Sequence, residues 1–90
     1  MVDSSHAALM AAKQSPPSPE HIPVMLREQF VSKRLLNMKY VVWYRDLYLL
    51  HRKITHGDIF ELRGIEIDEW QNRTDEFIRV MAELVKRLIS

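Results

Sequence analysis

From Val24 to Ile54 the chain carries neither glycine nor proline, and no other feature limits its fold so firmly. A segment without a breaker reads as one long helix. Pro23 suits its first position, and Arg52 and Lys53 favour the negative end of its dipole. At about 100° per residue, Leu36, Tyr40, Trp43, Leu47, Leu50 and Ile54 share one stripe, while Val31, Leu35, Met38, Val42 and Leu49 share another. Between the two runs a ridge of Arg27, Arg34, Arg45 and Arg52. A surface helix needs one apolar stripe, so a second stripe implies a second partner.

Length sharpens the point. A helix of roughly 30 residues reaches about 45 Å, whereas a compact globule of roughly 70 residues has a radius of gyration near 11 Å. Either the helix breaks without glycine or proline, or another chain covers its overhang.

The whole chain has 90 residues and no cysteine. A domain of this size has a marginal core and no disulfide to staple it. Its stability must come from dense helix packing, from self-association or from a partner. The proline cluster Ser15-Pro16-Pro17-Ser18-Pro19 favours extended backbone and divides a flexible tail, residues 1–21, from a helical domain, residues 22–90. His6 to Lys13 could form a helix, but isolated helices so short are marginal in water, so the tail is expected to be disordered.

Beyond the long helix, Thr55 followed three residues later by Asp58 is a variant of the capping box, and Gly64 supplies a stop. This predicts a short helix over about 56–63. Asp68 to Gln71 repeats the cap and opens a last helix to about Ile89. There Ile67, Trp70, Phe77, Ile78, Met81, Leu84, Val85 and Leu88 lie on one side, with Asp75, Arg79, Glu83 and Arg87 on the other. The fold class that follows is all-α, a three-helix domain in which the last helix packs antiparallel on the Trp43/Leu47 stripe.

The segment Ile54 to Ile65, followed by that capped helix, resembles the helix, turn and recognition helix of helix-turn-helix domains, with Gly64 as the turn glycine. Arg63 to Asp68 also looks like the turn of some transposase helix-turn-helix domains. The resemblance covers about 25 residues, and departs from the pattern at Phe60, Arg63 and Trp70, where small, apolar and β-branched residues are usual. It implies a small DNA-binding regulator in which Gln71, Asn72 and Arg73 reach base edges. Glu66, Asp68 and Glu69 would then stand beside phosphates, where acids forfeit attraction.

Charge is split along the chain. Val24 to His56 holds seven Lys/Arg against two acids, and Gly57 to Ser90 holds five against eight. The split implies either that the two halves attract each other or that the basic half meets an acidic partner.

Chemistry-bearing patterns are weak. Gly57 and Gly64 are the only glycines, too few for a phosphate loop, and no nucleophilic or paired-carboxylate arrangement stands out. His51 and His56 with Asp58 or Glu61 lack the spacing of a metal site. No enzyme, metal or cofactor is expected.

The opening residues put an acid where a targeting peptide carries bases, and Leu35 to Leu50 is too short and too charged to span a bilayer. The expectation is a cytoplasmic protein in a reducing compartment, without stable membrane insertion. The Tyr-, Trp- and Arg-rich helix leaves membrane-surface association as a third reading.

The resulting expectation is an interaction or regulatory subunit, a homodimer or the companion of an acidic helical protein. It would bury Val31, Leu35, Met38, Val42 and Leu49 against a partner, with Arg34 and Arg45 selecting an acidic one.

Overall fold

A computed structural model describes residues 1–57 and 64–90, with the backbone alone at 64 and 65. The described residues are helical throughout their regular structure, with no strand among them, so the all-α expectation holds. The helices are α1 (Val2–Ala11), α2 (Ile22–Leu26), α3 (Met38–Thr55) and α4 (Gly64–Ile89). A 3-10 turn, Pro19–His21, leads into α2, and a wider π-helical turn, Arg27–Val31, continues it.

The long first helix does not exist as one piece. The π turn closes with the Ser32 amide on the Arg27 carbonyl at 3.0 Å, and Arg34 then adopts φ 60. The Arg34 amide bonds the Val31 carbonyl at 3.0 Å and the Leu35 amide bonds the Phe30 carbonyl at 2.9 Å. This paired pattern is the Schellman termination, which usually places glycine at the left-handed position. Asn37 then starts α3, its side chain accepting from the Lys39 amide at 2.9 Å, as a strong N-cap residue does.

The break sends the chain back on itself. Ile22, Leu26 and Phe30, spaced by four, are all fully buried, and Leu36 joins them from the turn. Each such side chain contributes about 1.5–3 kcal/mol when removed from water. A continuous helix would carry Phe30 and Val41 about 16 Å apart along one axis; the reversal brings both into one core cluster.

The expected disordered tail is also corrected. Residues 2–11 form α1, and Ala8 and Leu9 are fully buried where α1 packs along α4. An alanine-rich sequence has high helix propensity, and tertiary burial supplies what an isolated short helix lacks. A second Schellman pattern ends α1 at Lys13, φ 63, with Lys13 bonded to Met10 and Gln14 to Leu9, both at 2.9 Å. The proline segment is tied down as well: His6 Nε2 donates to the Pro17 carbonyl and the Tyr44 hydroxyl to the Pro19 carbonyl, each at 2.9 Å.

α3 buries neither expected stripe squarely. Its inward residues are Val41 and Tyr44, with Tyr40 and Tyr48 packed beside them. Tyrosine suits this face because its ring is apolar while its hydroxyl can reach a partner at the edge. On α4, Phe77, Met81 and Leu84 are fully buried as the spacing predicts, but Ile67 and Ile78 are nearly half exposed.

α4 opens at Gly64 rather than Asp68. Acids in the first turns suit the positive end of a helix, and Glu66 stands there. The turn that the helix-turn-helix resemblance places at Gly64 is therefore already helical. The short helix expected over 56–63 falls mainly outside the described residues; its first two, His56 and Gly57, end α3 instead, with Gly57 at φ 79.

The overhang is real but belongs elsewhere. A helix as long as α4, of 26 residues, runs about 39 Å and sets the longest dimension of the molecule, 43 Å. Where α3 ends and α4 begins, the described residues His51 to His56 and Glu66 to Glu69 are all exposed.

Candidate functional site

Three of the seven residues expected to meet a partner line one groove. Met38, Val42 and Arg45, together with Pro23, Val24, Arg27 and Val41, surround a hollow of about 180 Å³ between α2 and α3. An apolar cavity of about 150 Å³ is large enough to take up benzene. Leu49 continues the same α3 face toward the exposed end, beside Arg52, Lys53 and His56. Val24 on α2 and Met38 and Leu49 on α3 are 44%, 41% and 45% exposed, which is large for apolar side chains.

The break in the long helix moves the other expected members away. Val31 and Leu35 pack against the core, and Arg34 occupies the left-handed turn. Leu35 is further engaged through its carbonyl, which accepts from Arg87 Nη2 at 2.9 Å. Val24 and Arg27 take their place in the groove, residues no stripe analysis of a single helix could bring next to Met38.

The rim is basic. Arg27, Arg45, Arg52 and Lys53 are all exposed. Arg45 Nε lies 3.8 Å from Asp46 Oδ1 with both side chains about half exposed, and such pairs contribute little. The guanidinium therefore keeps most of its capacity for bidentate carboxylate recognition.

The DNA-reading candidates are distributed differently. Gln71 and Asn72 are exposed. Arg73 is held over two rings, 5.0 Å from the Trp70 centroid and 5.6 Å from that of Trp43. A guanidinium seated on indoles gains from cation-π attraction and is committed to joining α3 and α4. Lys39 joins the same cluster, 5.1 Å from the Tyr40 ring and 3.7 Å from Glu76 Oε2. The pattern to look for was a tryptophan on each helix near a single arginine.

A larger hollow of about 390 Å³ lies between the start of α1 and α3, lined by Met1, Val2, Pro19, Tyr44, Leu47, Tyr48 and His51. Tyr44 and Tyr48 stack there at 6.4 Å. Burial, followed by the neighbouring Tyr48, raises the Tyr44 hydroxyl to about 12. That phenol stays protonated and serves as a donor to Pro19.

Among the described residues no group of three His, Cys, Asp or Glu side chains converges on a metal position; Asp58 and Glu61 lie outside them. No described helix is long and apolar enough to cross a membrane.

No protein family, curated protein or solved structure matches the chain.

Proposed function

We propose that this chain is a non-enzymatic helical interaction module that docks the apolar face of a partner helix into the α2–α3 groove. The observation that carries this reading is the run of exposed Val24, Met38 and Leu49 with half-buried Val42, edged by Arg27, Arg45 and Arg52. Amphipathic helices enter grooves through anchors spaced by three, four and seven residues. Met38, Val42 and Leu49 have spacings of four and seven, so they face such anchors turn by turn. The arginines select a partner with acids flanking its apolar strip and raise the rate of encounter.

The reading is tested with a synthetic amphipathic peptide carrying leucines at spacings of four and seven with flanking glutamates, titrated into the full chain by fluorescence anisotropy. Val42→Glu places a charge in the apolar strip and should abolish binding while the thermal melt stays cooperative. Equal affinity for the variant would overturn the groove.

A further inference from the structure

The groove has a counterpart elsewhere on the same molecule. Along α4, Ile67, Gln71 and Ile78 share one face at spacings of four and seven, the same spacings as Met38, Val42 and Leu49. Both sets therefore extend about 16 Å. Ile67 and Ile78 are 44% and 45% exposed, matching the exposure of the α3 strip.

The charges flanking the two strips are opposite in sign and equal in period. Arg45 and Arg52 lie seven apart beside the α3 strip, and Asp68 and Asp75 lie seven apart beside the α4 strip. Asp68 and Asp75 are exposed, and no ion pair holds them among the described residues. Within one molecule the two strips do not meet. α3 and α4 join instead through Tyr40, Trp43, Arg73, Glu76 and Phe77.

We infer that the occupant of the groove is α4 of a second copy of this chain, Ile67 and Ile78 filling the apolar strip and Asp68 and Asp75 facing Arg45 and Arg52. This inference rests on the groove reading above and names its partner. Each copy carries both surfaces on faces turned away from the α3–α4 junction, so the contact runs head to tail from the groove of one copy to α4 of the next. The region involved is the end of the molecule where the described residues His51 to His56 and Glu66 to Glu69 are exposed and gain most from a neighbour.

The test is sedimentation equilibrium of the full chain at about 100 μM, where a pair of micromolar affinity is almost fully formed. Two charge-reversed forms accompany it, Arg45→Glu with Arg52→Glu, and Asp68→Lys with Asp75→Lys. The wild type should sediment above the mass of one chain, and each reversed form should associate at least tenfold more weakly. An equimolar mixture of the two reversed forms should recover association, because every contact again pairs opposite charges. Circular dichroism melts confirm that all three remain folded.

A wild type that stays at one chain overturns the self-pairing, and so does association unaffected by either reversal. Binding of the acidic leucine peptide, lost in Val42→Glu, would in both cases leave the groove standing with a different partner. Loss of both results would remove the groove as well.

Discussion

The Tyr40 hydroxyl donates to Glu76 Oε2 at 2.9 Å across a sequence separation of 36 residues, and it ties α3 to α4 beside the Phe77 ring. Burial first, and then the Glu76 carboxylate, raise the pKa of this phenol. Tyr40→Phe and Glu76→Gln should each lower stability by about 1 kcal/mol, the typical net value of a hydrogen bond. The double variant should cost less than the sum. Urea denaturation of the four proteins measures the coupling, and strict additivity would mean that the bond contributes nothing.

Alkaline pH should destabilise the protein through Tyr44. In the folded chain burial pushes this phenol up to about 12, while its ordinary value, kept in the unfolded chain, is 10.0. Between those values the unfolded state has lost a proton that the native state retains, so stability falls as pH rises. The contribution linked to this one proton is fully present below pH 10 and is lost toward pH 12. The Tyr40 shift acts in the same direction. Urea midpoints followed from neutral pH through this window should decline, and Tyr44→Phe should flatten the decline while lowering stability at pH 7 by the lost bond to Pro19. A wild-type midpoint that held level through the window would contradict the assignment.

Ser5 is fully buried and its hydroxyl has no partner among the described residues. An unsatisfied buried donor costs about 1–3 kcal/mol, so Ser5→Ala should raise the melting temperature. At the adjoining Ala8, also fully buried, enlargement to Leu should lower it through overpacking. The opposite order of the two melts would place α1 differently against α4.

The left-handed residues give a fourth stability signature. Lys13 and Arg34 hold φ 63 and 60, a conformation costing side-chain-bearing residues about 1–2 kcal/mol. Glycine relieves that strain but loosens the unfolded chain, so Lys13→Gly and Arg34→Gly should each stabilise by about 0.5–1 kcal/mol. Asn37→Ala should destabilise by about 1 kcal/mol through loss of its cap on α3. If Arg34→Gly destabilised, the reversal at that residue would be refuted.

The helical class and the buried seam Phe77, Met81 and Leu84 were legible, because their spacing follows the helix period and one face dominates. The break was harder to see. Arg34 takes a position that glycine usually marks, and the preference of Asn37 for a cap competes with a strong apolar rhythm on either side. The fate of Ala8 and Leu9 depends on α4, some 70 residues later, and local propensity has no access to it. Of the expected partner face, Met38, Val42, Arg45 and Leu49 stand together because they share α3, whereas Val31, Arg34 and Leu35 form the reversal itself. Val24 and Arg27 are neighbours of Met38 only in three dimensions.

The seating of α1 on α4 has a practical corollary. Ala8 and Leu9 belong to the same buried cluster as Met81 and Leu84, so deleting residues 1–21 as though they were a dispensable leader would strip a protective cover from α4. Such a shortened protein would display a freshly uncovered greasy seam and stick to itself for reasons foreign to the intact molecule. An N-terminal tag that disturbs the first turn would have a milder version of the same effect. Preparations that keep the beginning of the chain whole are the ones whose solution mass has meaning.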